Sequence, residues 1–211
     1  RGGRTARVET RGGELVSYRD ERGREYIWGG DPAYWPGRNP LLFPIVGMLK
    51  EGKIRFDGRE YAMERHGFAR RREFTPAARG EDWVRLELRE SAETLALYPY
   101  PFRLAVEQRL TDTGFSTAVT VANPGEGPLP FCLGAHTGFR CPLEAGERFE
   151  DYELVFPERE SCPTLLLRDG LLDRPAALPC LEDTDTLPLD YRLFDALDTL
   201  IFEGLRSRSV A

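Results

Sequence analysis

The chain has 211 residues, 41% of them hydrophobic, with 29 basic and 35 acidic side chains and a net charge of −6. That is enough apolar material for one large domain over residues 1–211, and the negative balance excludes a general nucleic-acid binder, which needs a basic surface. No run reaches the roughly 18 to 20 apolar residues of a membrane helix, and no charged start leads into an apolar block, so the sequence reads as a soluble, cytoplasmic protein with no membrane partner.

Short runs with period-two alternation, separated by Gly, Pro, Asn and Asp, predict antiparallel β structure throughout. Glu14 to Tyr18 and Glu25 to Trp28 read as a hairpin around Asp20-Glu21-Arg22-Gly23, and the Gly- and Pro-rich stretch from Gly29 to Arg38 reads as a loop. Lys53 to Phe56 and Arg59 to Met63 are joined by Asp57-Gly58, the strongest short hairpin signal. Trp83 to Arg89 alternates as a strand, Ser91 to Leu97 fits one helical turn, and Phe102 to Leu110 pairs with Phe115 to Ala122. Leu129 to Leu133, Tyr152 to Phe156, Thr164 to Leu167, Thr199 to Glu203 and Arg206 to Val210 complete the expected strands. Many short strands at this spacing point to a sandwich or barrel.

The chemistry-bearing residues concentrate in two segments. One runs from Arg38-Asn39-Pro40-Leu41-Leu42-Phe43-Pro44 to His66-Gly67-Phe68-Ala69-Arg70-Arg71-Arg72, and the other is Gly134-Ala135-His136-Thr137-Gly138-Phe139. They hold the only two histidines, His66 and His136. An imidazole titrates near neutrality and exchanges protons with little tuning, and the small residues around His136 leave room above its ring. Either histidine read singly fits a surface or turn position as well. Lys50 and Lys53 are the only lysines, so nearly every cation is a planar guanidinium suited to phosphate, carboxylate or hydroxyl groups; an arginine-biased genome accounts for this equally well. Cys132, Cys141, Cys162 and Cys180 read as reduced, mostly buried thiols. Cys132 is expected on the apolar side of its strand. The spacings of Cys132, His136 and Cys141 do not form a metal-ligand pattern, and no metal site is assigned.

In their order along the chain, these two segments closely resemble the aldose 1-epimerase, or galactose mutarotase-like, family, in particular its LacX-like and hexose-6-phosphate mutarotase-like branches. The resemblance extends through Gly13-Glu14-Leu15, Trp28-Gly29-Gly30-Asp31-Pro32-Ala33-Tyr34-Trp35, Tyr98-Pro99 and the surroundings of Asp198 and Ser207-Arg208-Ser209-Val210. It implies a large antiparallel β-sandwich, the galactose mutarotase-like supersandwich, that interconverts the α and β anomers of a small-molecule sugar without a cofactor. By the same resemblance, His136 is the general acid for the ring oxygen and His66 the histidine that binds sugar oxygens. Arg38, Arg70 and Asp198 bind substrate, and Phe68 and Phe139 stack on the sugar or pack in the core. The family's general base, a glutamate beside proline and tryptophan, has no counterpart in these residues. With the alternating Arg206 to Ala211 end, this leads to the expectation of a sandwich truncated at the C-terminus. A non-catalytic carbohydrate-binding module, or a mutarotase of hexose 6-phosphates, is the alternative. The sugar and the oligomeric state stay open.

Overall fold

The computed structural model describes residues 2–211; Arg1, the first residue of the expected single domain, lies outside them. The chain divides into two compact units, residues 1–140 and 141–211. No described helix is long and apolar enough to cross a membrane.

In the first unit, β1 (Thr5–Val8) pairs antiparallel with β2 (Leu15–Arg19). β3 is the two-residue strand Leu41–Leu42, and β4 (Lys53–Phe56) and β5 (Arg59–Ala62) form the hairpin expected at Asp57-Gly58. Both turn residues have positive φ, 48° and 79°, as a two-residue turn between right-twisted strands requires. A four-stranded sheet follows in the order β6 (Thr75–Arg79), β7 (Trp83–Arg89), β8 (Arg103–Leu110), β9 (Phe115–Ala122). β6 was not expected from the sequence: every residue in it is exposed and it carries Pro76, which suits only an edge strand.

The helical turn α1 (Ala92–Leu97) starts at Ser91, whose hydroxyl accepts from the Thr94 amide while the Thr94 hydroxyl accepts from the Ser91 amide. These are the orphan donors of a helix start, satisfied reciprocally. Leu86, Leu88, Leu104 and Val106 from the four-stranded sheet meet Leu41, Phe43, Phe56, Met63 and Phe68 in one core, with Tyr98 and Phe102 fully buried in it. All pairings between strands are antiparallel, and the fold is an antiparallel β-sandwich.

Two expected strands of this unit are replaced by single contacts. Glu25 to Trp28 makes isolated bridges at Glu25, with Arg19, and at Ile27, with Phe139, and no continuous ladder. The Glu25 carboxylate turns back to accept from the Tyr18 and Ile27 amides. Of Leu129 to Leu133, no residue is in a strand; β10 is Gly134–Ala135 alone, paired with β3. Cys132 is exposed, not on an apolar strand face, and of the four free thiols only Cys162 is buried.

The second unit is a long hairpin, β11 (Glu153–Arg168) against β12 (Leu171–Pro188), turning at Asp169-Gly170. The sequence predicts only two short strands here, Tyr152 to Phe156 and Thr164 to Leu167, and no return strand. Pro157, Pro163, Pro175 and Pro179 lie inside it, and the ladder accommodates them with repeated register shifts. Neither Thr199–Glu203 nor Arg206–Val210 is a strand. Those segments are tied to β11 by individual bonds: the buried Glu160 carboxylate accepts from the Arg206 and Ser207 amides at 3.0 and 2.7 Å, and Thr164 Oγ1 from the Ile201 amide at 2.9 Å.

Candidate active site

The segment 132–138 runs antiparallel beside 38–44. Its amides at Cys132, His136 and Gly138 donate to the carbonyls of Pro44, Pro40 and Arg38, at 2.8, 3.1 and 2.6 Å. The start of the opposing segment is anchored in turn by Glu14, whose Oε1 accepts from the amides of Arg38 and Asn39 at 2.8 and 2.7 Å. The extended backbone alternates its side chains. Ala135 and Thr137 line a cavity of about 150 Å³ with Asn39, Leu41 and Gln108, and His136 projects into a different hollow.

That hollow has a volume of about 290 Å³ and is lined by Trp35, Arg65, His66, Arg70 and His136. Here the two histidines, 70 positions apart in sequence, meet edge to face with ring centroids 5.5 Å apart and planes at 72°. His66 is held at a left-handed φ of 67°, an uncommon conformation for a residue with a side chain. Two bonds to Gly47 hold it there: the His66 amide donates to the Gly47 carbonyl at 2.8 Å, and the Gly47 amide donates to His66 Nδ1 at 3.0 Å. With Nδ1 an acceptor, the neutral ring carries its proton on Nε2. Gly67 brings the chain close to its neighbour. A Cβ there would fall 2.2 Å from the Phe43 carbonyl oxygen, and that oxygen accepts from the Phe68 and Ala69 amides.

Burial, then the positive charge of Arg65, then His136 and Arg70, push the His66 pKa down from 6.5 to about 4. His136 is shifted down as well, by partial burial and by the Arg65 and Arg70 guanidinium groups. Arg70 donates through Nη2 to the Arg65 carbonyl at 2.8 Å. Its Nε is buried without a hydrogen-bond partner. Among the described residues lining the hollow there is no carboxylate, so its polar wall is made of donors and cationic groups.

The other anticipated residues lie elsewhere. Arg38 is not in the lining: its guanidinium packs over Gly30, with Cζ 2.9 Å from where a Cβ would stand. Phe68 is 5% exposed, edge to face with Phe43 at 6.1 Å, and takes the core alternative of its two readings. Phe139 is 71% exposed and borders a separate apolar trough with Tyr18, Tyr26 and Phe115, because it shares the parity of Thr137. Asp198 is an exposed residue of the second unit. Arg65, which the sequence offers with Arg38, Arg70, Arg71 and Arg72 as an arginine able to hold a 6-phosphate, lines the hollow. Trp35 does so without a sequence signal beyond being a large aromatic in a Gly- and Pro-rich loop.

Several known proteins resemble this chain. The model of the family described as aldose 1-epimerase matches residues 1–171. Protein LacX of Lactococcus lactis subsp. lactis, in its plasmid form, is 40% identical over 214 aligned residues, which cover 98% of this chain and 71% of that protein. Among solved structures, a galactose mutarotase related enzyme from Lactobacillus acidophilus superposes with a TM-score of 0.89 at 27% identity, covering 97% of this chain and 71% of the other. A galactose mutarotase-like protein from Lactobacillus casei gives 0.79 at 32% identity, over 90% of this chain and 66% of the other. Matched over most of its length by the family model and by such a relative, the chain belongs to the aldose 1-epimerase family.

Proposed function

We propose that the protein is a mutarotase, interconverting the α and β anomers of a hexose or related aldose by acid–base ring opening. The observation that carries this reading is the meeting of His66 and His136 over one hollow bordered by two guanidinium groups. Ring opening needs a proton delivered to the ring oxygen as the C1 hydroxyl loses one. His136 supplies the first, facing the hollow from a partly open position where its ring can recharge from solvent, and solvent water takes the second, since no carboxylate stands among the described residues lining the hollow. A depressed pKa makes its protonated form a stronger acid and a scarcer one, and the rate reflects the product of the two. His66, with Nδ1 engaged and Nε2–H free to donate, serves as a fixed neutral hydrogen-bond donor to a sugar oxygen on which charge builds. This chemistry calls on no cofactor.

Polarimetry of α-glucose and α-galactose tests the reading. Equilibration faster than buffer supports it, and a rate equal to buffer for every aldose tried refutes it. A non-catalytic sugar-binding module is the second reading, favoured by the absence of a carboxylate among the described residues lining the hollow. It predicts saturable sugar binding with no acceleration.

Arg65 and Arg70 also favour an anionic sugar, since guanidinium pairs bidentately with phosphate. A hexose 6-phosphate held there would offset the positive charge that lowers both imidazoles. Salt-sensitive preference for glucose 6-phosphate over glucose supports that refinement, and equal turnover argues against it.

A further inference from the structure

We propose that Trp35 is the positioning residue of this site: its indole, laid against the His136 imidazole, sets the tilt at which that ring faces His66. The proposal rests on the mutarotase reading for its catalytic consequence. The geometry beneath it stands independently.

The Trp35 and His136 rings lie 5.0 Å apart between centroids with planes 30° from parallel, while His136 meets His66 near a right angle. His66 is oriented by the Gly47 amide. Among the described residues the His136 ring has no hydrogen-bond partner that could do the same, while its main-chain amide donates to the Pro40 carbonyl. Contact with the indole is what restricts its χ angles.

Two glycines make room for that contact. A Cβ on Gly37 would fall 2.6 Å from Trp35 Cζ2, and one on Gly138 would fall 2.7 Å from Cζ3. Neither glycine has the positive φ that would by itself call for glycine. At Gly37 the lack of a side chain is therefore explained by the indole and not by φ; at Gly138 the indole is the nearest obstacle, with Trp28 Cβ at 3.0 Å and the Arg38 carbonyl oxygen at 3.1 Å behind it.

Trp35 is itself anchored. Its amide donates to the Asp31 carbonyl at 2.8 Å, and its carbonyl accepts from Trp28 Nε1 at 2.8 Å. The Trp28 amide in turn donates to the Gly138 carbonyl at 2.8 Å. The loop that carries the indole is thus bonded to the segment that carries the imidazole, two residues from it, so the two rings move as one assembly.

The test compares Trp35→Leu and Trp35→Phe with the wild type, by anomer-exchange kinetics and by NMR of the His136 imidazole in the unliganded protein. Trp35→Leu is expected to lower kcat roughly 10-fold or more while KM moves less than about 3-fold, and Trp35→Phe to recover most of the loss. The His136 ring protons shift in Trp35→Leu, and their titration midpoint rises as the ring gains water and swings from Arg65 and Arg70. Unmoved His136 resonances and midpoint overturn the proposal, as does a raised KM at unchanged kcat, which would make Trp35 only a wall for the sugar. Should the leucine variant not fold, Trp35→Phe carries the NMR test, because its weaker ring current displaces the same resonances. An inactive wild type removes the functional reading of the preceding section and leaves the imidazole measurement to decide this one.

Discussion

His66 and Gly47 are joined twice, amide to carbonyl and amide to ring nitrogen. The second bond determines which nitrogen of the His66 imidazole holds the proton, and it does so with a main-chain donor.

The first prediction concerns that ring. His66 is expected to be the Nε2–H tautomer at neutral pH and to titrate at about 4. Its folded pKa lies below the unfolded value near 6.5, so the unfolded chain binds the proton first. Its contribution to stability is intact above pH 6.5 and is lost as pH falls through that value towards 4. Nitrogen-15 shifts of the ring across that range check both points, and a protonated Nδ1 at pH 7 would contradict the assignment.

On the mutarotase reading, His136→Ala is expected to reduce turnover on the order of 100-fold or more with the fold intact, by removing the proposed general acid. In the wild type, kcat falls with rising pH above the His136 midpoint, because the protonated fraction drops about tenfold per unit. That limb is absent from the variant. Progress curves from pH 5 to 9 read both effects, and near-wild-type turnover would mean the proton comes from another source.

Glu14→Ala leaves the Arg38 and Asn39 amides without the acceptor they share. A loss of about 1–3 kcal/mol in stability is expected, with a smaller loss for Glu14→Gln, which keeps a carbonyl oxygen in place. Urea denaturation of the three proteins provides the comparison, and equal midpoints for Glu14→Ala and wild type would show that water replaces the carboxylate without cost.

Gly67→Ala combines a left-handed φ of 69° with a Cβ placed 2.2 Å from the Phe43 oxygen. A destabilisation of about 3 kcal/mol or more is expected. A thermal melt unchanged from wild type would mean that the Phe43 and Gly67 backbones separate easily, and then His66 would not be fixed by its surroundings.

Within the second unit, Glu160→Gln should release the 206–207 segment. The Glu160 carboxyl is held below its usual range by the Ser207 side chain and amide and by the Arg206 amide, so the same release is expected in wild type as pH falls through that lowered value. Hydrogen exchange at Arg206 and Ser207 measures it, and protection unchanged in the variant would count against this tie.

Legibility in the sequence followed the locality of the determining interactions. The β4–β5 hairpin is encoded by adjacent turn residues, and β7, β8 and β9 by their own alternation, so each was readable from a short window. The β11–β12 hairpin was not, because four prolines argue against a strand and only the shifted pairing absorbs them. The segments of His66 and His136 stand out in the sequence by the rarity of histidine and by their neighbours, and the fold brings the two rings together. The displacement of Phe139 and Arg38 from the hollow depends on parity against a strand two residues long and on a contact with Gly30, neither of which has a local signature. Trp35 escaped notice for a similar reason: the meaning of Gly37 and Gly138 is visible only once an indole lies across both.

The two-residue ladder of β10 on β3 has a consequence out of proportion to its length. Because neighbouring side chains along 135–137 face opposite cavities, a slip of a single position against residues 40–42 would present a methyl or a hydroxyl to the hollow in place of an imidazole. Which group meets His66 there is therefore a matter of counting, and insertion or deletion of one amino acid between Pro130 and Gly134 would part the two rings while leaving both histidines in the chain.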